Sequence, residues 1–106
     1  MNCLDELKKV TADYLKALED YRKIAKSDLV PRVDGMINEA KNTLKTLENA
    51  YSNAPPHSKD EVQRAIQQTI FSIKNNMTNL AKSYASAKER MIAEETQRKI
   101  RNQYNL

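Results

Sequence analysis

Apolar positions along this chain recur in a three-four alternation, the spacing that keeps one side of an α-helix dry. The longest such run is in the second half: Val62, Ile66, Ile70, Ile73, Met77, Leu80, Tyr84, Ala87 and Met91. No Gly or Pro follows Pro56 to interrupt it. Ser58-Lys59-Asp60-Glu61 reads as a capping box, with the serine oxygen accepting from an early backbone amide and Glu61 reaching back to the cap. The pattern predicts one helix over 58–102, roughly 65 Å long. A stripe so narrow on a rod so long requires a partner helix. Past Met91 the seam positions pass to Glu94, Arg98 and Arg101, while Ile92, Thr96, Ile100 and Tyr104 continue on a rotated face. A protruding end that frays over Asn102–Leu106 is expected.

The first half carries two shorter stripes. Leu4, Leu7, Thr11, Tyr14, Leu18, Tyr21 and Ala25 define a helix from about Leu4 to Lys26, with Val10, Leu15 and Ile24 widening its apolar side. Asp5 and Glu6 near its start and Lys23 and Lys26 near its end suit the helix macrodipole. Val30, Val33, Ile37, Ala40, Leu44, Leu47 and Tyr51 then define a second helix over about 29–51. Between them the phase shifts at Ser27-Asp28-Leu29-Val30-Pro31. A proline inside a helix loses a hydrogen bond and clashes with the preceding turn, so a continuous helix must kink there. Alternatively, Ser27 or Asp28 caps a new helix with Pro31 in its first turn. With no Gly before Pro31 and little chain to spare, the kink is preferred. Gly35 adds a local weakness of about 1 kcal/mol relative to Ala.

Ser52-Asn53-Ala54-Pro55-Pro56-His57 is the unambiguous break, because two consecutive prolines bar helix continuation. The arms on either side of it are nearly equal in length. The expected architecture is therefore all-α: one helical domain over 1–106, with arm one at 3–52 kinked at 27–31, a turn at 52–58 and arm two at 58–102. The arms form an elongated antiparallel hairpin, and two hairpins pair into a four-helix bundle. A three-helix bundle is disfavoured because its last helix would overhang by roughly half its length.

Composition fits this reading. One Gly, three Pro, no Trp and six aromatics among 106 residues are poor material for turns, strands or a thick globular core. Charge sharpens the picture. Residues 1–52 hold nine basic and nine acidic side chains, so the net +4 comes entirely from the nine against five in 53–106. No acid lies between Glu61 and Glu89, an interval rich in Gln, Asn, Ser and Thr. A solvated helix face normally interleaves both signs, so this helix is expected to be covered on more than one side.

Candidate chemistry is sparse. His57 is the only histidine, and its polar neighbours Ser58 and Asp60 are adjacent in sequence, whereas a catalytic triad converges in space. One glycine supports no phosphate-binding loop. Cys3, the lone cysteine, reads as a small apolar residue in the first helical turn. No catalytic residue, metal site or cofactor is predicted, and an enzyme is not expected. No leader is apparent and no run approaches the roughly 18 apolar residues of a membrane span. The expectation is a soluble cytoplasmic protein, with signal-less export as an open route.

The remaining reading is an interaction protein that works through coiled-coil-like seams: an adaptor, chaperone or assembly component that self-associates as a homodimer and binds another helical protein. Its predicted interface is Ile66, Ile70, Phe71, Ile73, Met77, Leu80 and Tyr84, with Phe71 near the contact centre. The alternative is a small nucleic-acid-binding protein using Lys88, Arg90, Arg98, Lys99 and Arg101, a set interrupted by Glu89, Glu94 and Glu95. The general outline is shared by secretion chaperones and phage scaffold proteins, an analogy of shape that carries no functional residue across.

Overall fold

The computed structural model describes residues 2–104. Its first helix, α1, runs from Cys3 to Ile24. Asn2 opens it in extended geometry, with its side-chain oxygen accepting from the backbone N–H of Asp5 at 2.9 Å. One of the amides that every helix start leaves unpaired is thereby satisfied. Leu7, Thr11, Tyr14 and Leu18 are buried, the predicted stripe. The helix ends where Ala25 swings to extended backbone, its N–H still bonded to the Tyr21 carbonyl at 2.8 Å.

The expected kink is instead a full reversal. The Leu29 N–H donates to the Lys26 carbonyl at 2.9 Å, closing a tight turn of ordinary residues. Such a turn needs no glycine, which is why the lack of one misleads the sequence reading. Helix α2 then runs from Val30 to Asn53, with Pro31 in its first turn, where its missing N–H has no helical partner to lose. Neither Ser27 nor Asp28 caps it; the N-cap is Leu29, without a side-chain hydrogen bond. Two exposed ion pairs mark the antiparallel register of α1 and α2. Arg22 Nε lies 2.6 Å from Asp34 Oδ1 beside the turn, and Lys8 Nζ lies 3.9 Å from Glu48 Oε2 at the far end. In a merely kinked rod, residues 8 and 48 would be on the order of 60 Å apart.

The capping box is the second departure. Pro56–Ser58 form a single 3-10 turn closed by the Ser58 N–H donating to the Pro55 carbonyl at 2.9 Å. Ser58 is thus already in helical geometry (φ −104°, ψ −4°) and makes no side-chain cap bond. The extended backbone that aims an N-cap oxygen at the first amides is missing. Lys59 ties the corner from the other side: its ammonium donates to the Tyr51 carbonyl at 3.3 Å and sits 4.4 Å from the centre of the Tyr51 ring. A cation at a helix C-terminus and over an aromatic face is favourable on both counts.

Helix α3 spans Lys59–Gln103 without a break. It runs parallel to α1: Lys74 Nζ is 3.3 Å from Glu6 Oε1, and the Arg90 guanidinium donates to the Ile24 carbonyl at 2.9 Å. An antiparallel hairpin would set Leu4 or Leu7 near Ile100, but that end of α1 meets the region of Lys74. The chain is therefore an up-down-up three-helix arrangement, 72 × 22 × 15 Å, from which α3 projects beyond Arg90. The overhang that counted against three helices is present. The chain is all-α as expected, but its first arm is folded back into two antiparallel helices instead of one kinked rod.

One contiguous core joins the helices: Leu7, Tyr14 and Leu18 from α1, Val33 and Ile37 from α2, and Ile66, Ile70, Ile73 and Leu80 from α3. Burying each aliphatic side chain contributes about 1.5–3 kcal/mol. Cys3 packs at the edge of this core. No helix among the described residues is long and apolar enough to cross a membrane.

Two tests follow from this packing. Thr11 is 1% exposed and its hydroxyl oxygen has no hydrogen-bond partner. Thr11→Val keeps the branched shape and removes the unmet polar group, so thermal unfolding should show a gain of about 1 kcal/mol; a loss would mean that the hydroxyl is engaged. The second concerns the turn. The Arg22 guanidinium, hydrogen-bonded to Asp34, holds that carboxyl below the usual carboxylate range. A carboxyl depressed in the folded state stabilises above its unfolded value of about 3.9, and this contribution fades as pH falls through the folded value. Asp34→Asn should therefore melt below wild type at neutral pH, with the difference vanishing in strong acid. A difference that survives acidification would mean that the carboxylate charge is not its source.

Candidate functional site

Helices α2 and α3 each pack more extensively on α1 than on each other. A groove is left between them, floored by α1. At the end near the first turn it widens into a cavity of about 440 Å³ that Tyr21, Leu29, Val33, Met36, Asn76, Asn79 and Ser83 help to line. A second cavity of about 200 Å³ continues the groove past Tyr14, Ala40, Thr43, Thr69 and Ser72. Met36 and Asn76 line both.

The two walls differ in chemistry. The α2 wall is largely apolar, from Leu29 through Met36 to Ala40, with Arg32 and Glu39 as its charges. The α3 wall carries Thr69, Ser72, Asn76, Asn79 and Ser83. These residues alternate three and four apart, forming a neutral polar stripe beside the apolar one. Here lies the acid-free interval noted in the sequence. The same periodicity test, applied to uncharged polar residues instead of apolar ones, would have revealed the stripe. Thr69 turns its hydroxyl back to the Ala65 carbonyl at 2.9 Å. The amides of Asn76 and Asn79 are exposed.

Tyr14 lies on the groove floor. Burial pushes its hydroxyl above the ordinary tyrosine range; the polar side chain of Asn76 opposes the shift, and the negative charge of Glu39 adds to it. A phenol held neutral by its surroundings presents a hydrogen-bonding tip from an otherwise apolar ring.

Most of the interface predicted from sequence belongs to the chain's own core. Ile66, Ile70, Ile73 and Leu80 are buried against α1 and α2, and Met77 and Tyr84 are half-buried. They form the intramolecular seam of α3, which a sequence alone cannot distinguish from an intermolecular one. Phe71 is the exception, 67% exposed on the opposite side of the helix.

The candidate nucleic-acid residues do not gather into one patch. Arg90 turns back to the Ile24 carbonyl and lies 3.8 Å from Glu94, and Lys99 pairs with Glu95 at 3.3 Å. Lys88 Nζ sits 5.7 Å from the centre of the Tyr84 ring. Arg98 and Arg101 are exposed on the overhang. His57 is exposed in the 3-10 turn. Among the described residues, no three His, Cys, Asp or Glu side chains come together as a metal-binding group.

Comparison of the chain with protein-family models, with curated proteins and with solved structures finds no match in any of the three.

The state of Tyr14 can be read directly. An acid whose folded pKa is raised contributes stability below its unfolded value of about 10 and loses it as pH rises through the folded one. Ultraviolet titration should end on a phenol step above the ordinary tyrosine range, that of Tyr14. Tyr14→Phe should remove that last step; if the step persists, Tyr14 is not the group so held.

Proposed function

We propose that this protein is a non-enzymatic helical interaction protein, an adaptor, chaperone or assembly component, that holds a partner's helix in the groove between α2 and α3. The open groove, with an α2 wall of Leu29, Met36 and Ala40 beside Arg32 and Glu39 and an uncharged, mainly hydrogen-bonding α3 wall, is the observation that carries this reading. A helix laid in it would turn aliphatic side chains toward Leu29, Met36 and Ala40, and small polar ones toward Asn76, Asn79 and Ser83. Helix-in-groove recognition works in this way, with apolar contact supplying affinity and hydrogen bonds fixing register. Uncharged groups suit the α3 wall because covering an amide that finds a partner is cheap, whereas covering an unpaired carboxylate is not. The same reading includes self-association through the far side of α3, where Phe71 is exposed.

Nucleic-acid binding is the weaker alternative. Its five basic residues are spread around the helix, and Arg90 and Lys99 are already engaged. Any binding to DNA or RNA should be weak and should lack the steep salt slope of phosphate neutralisation.

Charge substitutions on the α3 wall test the groove without touching the core. Ser72→Arg and Asn79→Glu should each abolish retention of whatever helical protein co-purifies with the wild type, while Lys16→Glu on the outer face of α1 should retain it. Retention by all three would mean that the partner binds elsewhere.

A further inference from the structure

Resting on the self-association reading, we propose that two copies pair antiparallel along the outer side of α3, with the two-fold axis crossing beside Ala85. Phe71, Thr78, Ala85 and Ile92 are spaced seven apart and so lie on one side of the helix, away from the core stripe. Phe71 is 67% and Ile92 63% exposed, large apolar side chains that a lone chain leaves wet. Thr96 and Ile100 carry the same side along the overhang. Of the charged residues there, Glu94, Glu95, Arg98 and Arg101 lie around the opposite half-turn, while Lys99, seven beyond Ile92, borders this side. The overhang, about 20 Å of helix past Arg90, is exposed at every described residue from Met91 to Tyr104. Cover for its apolar side chains lies on the side of Ile92, Thr96 and Ile100.

Charge selects the partner and its direction. Lys82 lies on this side before Ala85 and Glu89 after it, both exposed and neither within an ion pair among the described residues. A parallel pair of identical helices would set Lys82 against Lys82 and Glu89 against Glu89. In the antiparallel pair, each Lys82 faces Glu89 of the second copy. Residues 71 and 100 are equidistant from the same centre, between 85 and 86, so each Phe71 meets Ile100 of the second copy. Small side chains at Ala85 and Ser86 let the helices approach at the axis. The overlap from 71 to 100 is about 45 Å, some four heptads, a length at which such seams hold. Each overhang then rests on the three-helix body of the other copy.

Charge reversal with rescue is the test, read by sedimentation equilibrium on the full chain. Lys82→Glu and Glu89→Lys should each raise the dimer dissociation constant about tenfold, since symmetry breaks two pairs at once. The double variant should restore it. Spin labels at Arg98→Cys in a Cys3→Ser background should lie roughly 40 Å apart in the antiparallel dimer. A dimer without rescue, or with closely spaced labels, overturns the antiparallel pairing and leaves self-association standing. A monomer at tens of micromolar overturns both.

Discussion

Helix α1 has to serve two partners at once, and the rest of the molecule depends on that double burial. It is the shortest of the three α-helices, Cys3–Ile24, yet it is the surface on which both others chiefly pack. Leu7 and Leu18 are fully enclosed. Val10, Leu15 and Tyr21 pack at the margins of the core and broaden the side available for packing. Because α1 is the shared wall, its length sets that of the three-layered body. Helix α3 is about twice as long, so its surplus has no intramolecular partner and projects. Because α1 lies between its neighbours, they do not close fully on each other, and the groove is what remains.

Helix content and the phase of each stripe were legible because they rest on local periodicity. Leu7, Thr11, Tyr14 and Leu18 in α1, and Ile66, Ile70, Ile73 and Leu80 in α3, are buried where their spacing places them. The direction of the chain at residues 25–29 was not. Proline at 31 is compatible with a kink or with the first turn of a new helix, and the choice rests on the core that joins Leu7, Tyr14 and Leu18 to Val33 and Ile37, residues far apart in sequence. The seam of α3 illustrates the same limit. Its residues demand a partner, but whether that partner is α1 or another molecule is decided by the reversal.

The groove was half legible. Absence of acid between Glu61 and Glu89 pointed to cover on a second side of α3; Ser72, Asn76, Asn79 and Ser83 do line a second surface there, but in the single chain they are exposed. The apolar wall opposite could not be foreseen, since it follows from α2 folding back beside α3. The capping box failed for a local reason: Pro55 and Pro56 favour a 3-10 turn that carries Ser58 into helical geometry before it can act as a cap.

Arg90 sits where the body of the molecule ends and the projecting helix begins. Its guanidinium bond to the Ile24 carbonyl ties the base of the projection to the last turn of α1, next to the reversal into α2. Mechanically, the projection is a lever and Arg90 its fulcrum. A sideways load at the tip acts through an arm of about 20 Å, and the part-buried Arg90–Ile24 bond is the first contact at its base, one turn past the buried Ala87. Whatever grips the tip is thereby coupled to the corner between α1 and α2, beside the wide end of the groove, where Tyr21 and Leu29 stand.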